Sequence, residues 1–181
     1  MCIRDRTRSG RKVLDGGGVK PDVFIDPDDN SNILTTLKEK HLIFDYATQF
    51  ALKNKTIAAV EDFRFNDWNG FIQFLDNKQF DYDTETEKLL DQLKERADED
   101  GYLVASDLAS LEAKIITEKK NDLNKYKEVI NDLIEKEIVS RYYFQDGKIK
   151  IGLRNDLEIK EAIDLIKSPA RYSQILSGKG S

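Results

Sequence analysis

The chain has 181 residues, with 29 Lys and Arg against 34 Asp and Glu, so its formal net charge is −5. With 39% hydrophobic and 35% charged residues it can bury a core of one modest domain with an appendage, but Cys2 and His41, each the sole residue of its type, exclude an internal disulfide and cysteine-rich metal sites. The acidic balance argues against nucleic acid as a partner, because phosphates are held largely by Lys and Arg, and no run approaches the ~18 apolar residues of a membrane span.

The opening MCIRDRTRSGRK carries Arg4, Arg6, Arg8, Arg11 and Lys12 without the apolar run of a signal peptide. It reads as a flexible or truncated end rather than a nucleic-acid patch. The string MCIRDR also resembles a translated adapter remnant, which makes residues 1–6 non-native and implies a missing N-terminus. Residues 10–26 differ in texture: Gly16, Gly17 and Gly18 run together, Pro21-Asp22 forms a turn signal, and Val13-Leu14 and Val23-Phe24-Ile25 are short apolar runs. These predict strand ends around a tight turn. No proline then occurs between Pro27 and Pro169, which favours helices. The expected architecture is therefore mainly α, a short β segment over 1–29 followed by a helical domain over 30–181.

Ser31 or Asn32 can cap a helix through Leu34, Leu37, Leu42, Phe44, Tyr46, Phe50 and Leu52, with a break expected near His41. A shorter helix starts at Asn66 or Asp67 and places Trp68, Phe71, Ile72 and Leu75 on one face, with an extended piece from Gln79 to Tyr82. Thr84 with Glu87 fits a capping box for a third helix through Leu89, Leu90 and Leu93 to about Asp98, ended by Gly101. The longest helix is expected from Ser106 to about Ser140, with Leu108, Leu111 and Ile115 in one half and Tyr126, Ile130, Ile134 and Ile138 in the other. The all-polar stretch Thr117 to Asp122 between them is either solvated on all sides or a joint. In RYYFQDGKIKIGL, Asp146-Gly147 between β-formers suggests a hairpin, but a helix end with a short extended tail is the preferred expectation. Asn155 or Asp156 caps a helix through Leu157, Ile159, Ile163 and Ile166, and Pro169 starts one further turn with Tyr172, Ile175 and Leu176.

Tests for chemistry along the chain give no active site. Asp15-Gly16-Gly17-Gly18 before Lys20 lacks the G-x-x-x-x-G-K-[ST] spacing of a phosphate loop and is followed by Pro21-Asp22, so it reads as a glycine turn. Asp26, Asp28 and Asn30 match the first ligands of a calcium loop, but Ser31 stands where glycine is needed and Leu37 where a bidentate glutamate is needed. Asp81, Asp83 and Glu85 fail in the same way at Thr86 and Gln92, and both groups read as favouring the helix N-termini that follow. His41 has no serine motif near it. The aromatic set Phe63, Phe65, Trp68, Phe71, Phe74, Phe80 and Tyr82 reads as core or interface before ligand box. No catalytic residue, cofactor or metal site is expected in this chain.

The stretch from Thr7 to Val23, TRSGRKVLDGGGVKPDV, resembles the end of the protease core of carboxyl-terminal processing (tail-specific) serine peptidases of the S41 type. There a T-x-S-G-R pattern and a glycine-rich turn precede G-[IV]-x-P-D-[IV], and Thr7, Ser9, Gly10, Arg11, Gly18, Val19, Pro21, Asp22 and Val23 match it, with Gly16 and Gly17 in the turn. The segments NDWNGFIQFLDNKQFDYDTETEKLL and RYYFQDGKIKIGLRNDLEIKEAIDLI resemble the helical C-terminal extension of Bacteroidetes-type members. The resemblance implies that residues 1–29 are a remnant of the protease core and 30–181 an accessory helical domain. It also implies that the serine nucleophile and lysine base, and the PDZ module, lie upstream and fall on no residue here. The parent would cleave proteins near their C-terminal tails in the periplasm or cell envelope, its partners being protein or peptide substrates and the rest of the core. This chain alone would be inactive. The competing expectation is a non-enzymatic helical interaction module whose aromatic set around Trp68 forms a partner groove.

Overall fold

A computed structural model describes residues 3–6, 12–15, 21–25 and 31–177. Among these residues the chain is mainly α-helical, as its long proline-free stretch predicts, and it divides into a unit Asp28–Gly152 and a second unit made of Met1–Pro27 and Leu153–Ser181.

In the larger unit, α1 (Asn32–Glu39) opens at Ser31, whose hydroxyl accepts the Leu34 N–H, so the serine and not Asn32 is the cap. The expected break falls on His41, which adopts a left-handed φ of 54° and separates α1 from α2 (Leu42–Lys53). Asp67 caps α3 (Trp68–Asn77) by accepting the Gly70 N–H. Thr84 and Glu87 form the reciprocal capping box at the start of α4 (Glu85–Glu99), and Gly101 at φ 73° follows its end.

The long helix expected from Ser106 to Ser140 is two helices. α5 (Ala105–Lys125) stops at Tyr126, and α6 (Lys127–Gly152) begins at the next residue. The joint lies beyond the polar stretch 117–122 because the two halves have different partners: α5 pairs with α4 and buries no residue fully, whereas α6 packs along α2 in the core. The segment 141–153 also departs from expectation, being neither hairpin nor extended tail. Phe144 takes φ 53° and ψ −149°, and residues 145–152 form a second helical arm that folds back on the first. Lys148 on this arm meets Glu137 at 2.6 Å, and Gly147 lies so close to the first arm that a Cβ would stand 2.3 Å from the Cβ of Tyr143 and 2.9 Å from Val139. The glycine read as a turn signal is a contact surface.

Ile130, Ile134 and Ile138 recur every fourth residue on the first arm of α6 and are fully buried with Val139. They meet Ile33, Leu34 and Leu37 of α1, Leu42, Ile43, Tyr46 and Ala47 of α2, and Phe71, Phe74 and Leu75 of α3 in one cluster. The non-helical segment from 54 to 67 adds Val60, Phe63 and Phe65 to it. Its main chain is held by α6: the buried Glu135 carboxylate accepts the Phe65 N–H at 2.7 Å, Tyr142 donates to the Asn54 carbonyl at 2.5 Å and Tyr143 to that of Ala58 at 3.1 Å. Arg141 ties α6 to α2, donating to the Phe44 carbonyl and the Thr48 hydroxyl while its guanidinium lies 4.3 Å from the Phe44 ring centre.

In the second unit, β1 (Ile3–Arg6) pairs antiparallel with β2 (Lys12–Asp15), Ile3 opposite Asp15. A two-stranded hairpin is local structure and does not show the end of a larger sheet. The expected strand end at Val23-Phe24-Ile25 is corrected: these residues join no ladder. Asp156 rather than Asn155 caps α7 (Leu157–Ile166), Pro169 opens α8 (Pro169–Leu176), and an ion pair between Glu161 and Arg171 at 2.7 Å joins the two.

Two substitutions test the fold-back of α6. Gly147→Ala should destabilise the chain by about 1–3 kcal/mol, because neither Tyr143 Cβ nor the helix carrying it can give way cheaply. Phe144→Gly should stabilise it by about 1 kcal/mol, since the exposed ring contributes little packing and glycine accepts this conformation. Urea unfolding midpoints measure both.

Candidate functional site

The family-motif residues Ser9, Gly10, Arg11, Gly16, Gly17 and Gly18 lie outside the described residues, as do Asp26, Asp28 and Asn30. Pro21 and Asp22 are described and exposed. His41 is exposed at the α1–α2 joint, and its side chain makes no capping bond. The aromatic set is core: Phe63, Phe65, Phe71, Phe74 and Tyr82 are each at most 8% exposed, with Trp68 and Phe80 packed against them. Among the described residues these rings thus build core where a partner groove around Trp68 was expected, spending their faces and edges on one another, as in the edge-on contacts of Tyr46 with Phe65, Phe71 and Phe74.

One lysine is mostly withdrawn from solvent beside hydroxyl groups, and it is the group to test for serine–lysine chemistry. Lys119 on α5 reaches Glu87 at 2.9 Å and Asp81 at 3.0 Å and sits 4.9 Å from the ring centre of Tyr82. Burial opposes its charge, but the hydrogen bonds to Glu87 and Asp81 outweigh burial and hold the ammonium above the usual lysine range. A base must be neutral to take a proton, so Lys119 is a structural cation. The hydrogen bond from Lys119 holds the Asp81 carboxyl below the ordinary range, helped by the Tyr82 N–H. Burial and the hydrogen bond to Asp122 push the Tyr82 phenol up, so it stays protonated. Of the acidic group Asp81, Asp83 and Glu85, Asp81 joins Glu87 in a clasp on Lys119 that ties the start of α4 to α5, while Glu85 pairs with Lys88. Among the described residues no set of three or more His, Cys, Asp or Glu side chains is placed to hold a metal ion, and no helix is long and apolar enough to cross a membrane.

A cleft of about 790 Å³ opens between α2, α3 and the segment leading into α3. Its floor carries Tyr46, Phe50 and Phe74, and its walls carry Lys53 and the carboxamides of Gln49, Asn54, Asn66, Asn69, Gln73 and Asn77. These carboxamides are six of the sixteen Asn and Gln residues in the chain, gathered in one place. Asp67 at one end accepts from the Tyr46 hydroxyl at 3.0 Å as well as from Gly70, and burial with that bond pushes the Tyr46 phenol up. Lys78 at the other end pairs with Asp45 at 3.6 Å. Sequence reading followed the apolar face of this helix and missed the opposite one, although Asn66, Asn69, Gln73 and Asn77 at steps of three, four and four were a readable stripe.

Residues 33–166 match the family model described as "Probable PDZ-protease, C-terminal helical domain". No curated protein matches the chain, and no solved structure does.

The fold-back carries an acid-sensitive clasp. Burial alone would raise the Glu137 carboxyl, but hydrogen bonds from Lys148 and Arg141 outweigh it and hold the group below the ordinary range. A carboxyl depressed on folding contributes stability that is complete above its unfolded pKa of about 4.3 and is lost as pH falls through the folded value. Glu137→Gln should therefore cost about 1–3 kcal/mol at neutral pH and make the urea midpoint fall less steeply on acidification than in the parent chain.

Proposed function

The chain belongs to the family of C-terminal helical domains of probable PDZ-proteases, and on that premise we propose that it is the accessory domain of an S41-type serine endopeptidase. The observation that carries this reading is the adjacency of two independent signals: the S-G-R…G-V-K-P-D segment at residues 9–22, and the family match that begins at residue 33. On this reading residues 1–29 are the closing piece of the protease core, residues 30–181 the helical domain, and the serine and lysine that perform hydrolysis lie upstream. The nucleophile attacks the scissile carbonyl while the lysine takes its proton, which needs a lysine held neutral; the charged Lys119 does not meet that need. The helical domain then serves by binding, presenting polypeptide to the core. The parent acts on proteins or peptides in the periplasm or cell envelope.

A second reading, a non-enzymatic helical interaction module, draws on the open carboxamide cleft. It shares the expectation that this chain does not hydrolyse peptides, so the coding sequence separates the two.

The purified 181-residue chain should leave casein and tail peptides uncleaved above the buffer rate. The reading frame should continue upstream of the Met1 codon into a serine followed by a lysine, and restoring that segment should give turnover that a serine-to-alanine change abolishes. Turnover by the chain itself, or a closed upstream frame, would overturn the peptidase reading.

A further inference from the structure

We propose that the cleft between α2 and α3 is a binding site for an extended stretch of polypeptide, held through its main chain. A carboxamide carries both an N–H donor pair and a carbonyl acceptor, as does each peptide unit, so an Asn or Gln can satisfy a peptide group in either orientation. Gln49, Asn66, Asn69, Gln73 and Asn77 make no side-chain hydrogen bond to the protein among the described residues, and Asn54 uses only its amide nitrogen, on the Phe50 carbonyl at 2.9 Å. Their polar atoms are free to exchange water for a ligand.

The spacing selects the ligand. Asn69, Gln73 and Asn77 stand four residues apart on α3, a rise of about 6 Å per step. An extended chain repeats every two residues, about 6.6 Å, and its peptide groups face the same side at that repeat. Three carboxamides in a row therefore keep step with about five residues of extended chain, with Gln49 on the opposite wall. Three charged residues also line the cleft: Asp67 is engaged by Tyr46 and Gly70, Lys78 lies 3.6 Å from Asp45, and the exposed Lys53 adds an ammonium that donates to peptide carbonyls as the amides do. A neutral glycan could use the same amides, but sugar rings bind on open aromatic faces. Tyr46 and Phe74 are almost wholly buried and pack edge-on at 5.5 Å, and the half-buried Phe50 is engaged edge-on by Phe63 and Phe65, so the floor rings serve the core first.

That the occupant is substrate on its way to a protease core rests on the peptidase reading above, whereas the binding itself does not. Failure of binding would leave the upstream-frame test untouched, and a closed upstream frame would leave the binding result standing.

The test is a titration of the full chain, observed through its side-chain amide NMR signals, with an end-blocked ten-residue peptide of Ala, Ser and Thr, and separately with a neutral N-acetylglucosamine tetramer. The peptide should shift the Gln49, Asn69, Gln73 and Asn77 signals and leave Gln92 on α4 unmoved. The double variant Asn69→Ala/Gln73→Ala, with its folding checked by an unchanged urea transition, should bind about tenfold more weakly. Gln92→Ala should bind as the parent does. Absence of shifts up to millimolar peptide would overturn the proposal. So would shifts produced by the tetrasaccharide alone, or equal peptide binding by the double variant.

Discussion

The larger unit is organised by one helix arm. Ile130, Ile134 and Ile138 form a dry ridge on α6 that α1, α2 and α3 all close over, each buried side chain contributing on the order of 1.5–3 kcal/mol. The same arm carries Glu135, Tyr142 and Tyr143, which hold the main chain from residue 54 to residue 65. That segment has no ladder or helix to satisfy its backbone groups, so these side-chain bonds fix its course. The segment leads directly into α3, and Asn54, at its start, lines the cleft.

The polar interactions follow the same division of labour. Glu137 gathers Arg141 and Lys148, Arg141 continues to α2, and Lys119 gathers Glu87 and Asp81. In each case cations and carboxylates meet directly, and Lys119 is held in its charged form by its two partners. Such groups fix geometry and are poor proton acceptors. The cleft between α2 and α3 is lined mostly by neutral carboxamides, which recognise without titrating. This contrast agrees with the proposed role of the helical unit in binding, a role that rests on the family match and the residue 9–22 segment.

Helix boundaries were legible wherever a local signal decides them. The Thr84–Glu87 box, the Asp67 and Asp156 caps, Pro169 and the break at His41 all act within one turn of chain, and each lies where local chemistry puts it. The family likeness was legible too, because NDWNGFIQFLDNKQFDYDTETEKLL and RYYFQDGKIKIGL fall within the matched residues 33–166. Misreadings arose where two segments distant in sequence compete for the same space. Asp146-Gly147 has hairpin chemistry, yet Gly147 is spent on close approach to Tyr143 and Val139, which only the folded-back arm brings near.

The sequence by itself determined the helical class, the Thr84–Glu87 capping box and the apolar ridge of α6, since these depend on residue type and short spacing. Only the tertiary structure decided that the aromatic set is core and not groove, that the long helix breaks at Tyr126, that Phe144 bears a conformation suited to glycine, and that carboxamides from α2 and α3 face one cleft. Burial and facing are properties of pairs of elements, and a hydrophobic or polar stripe on one helix does not say which neighbour will cover it.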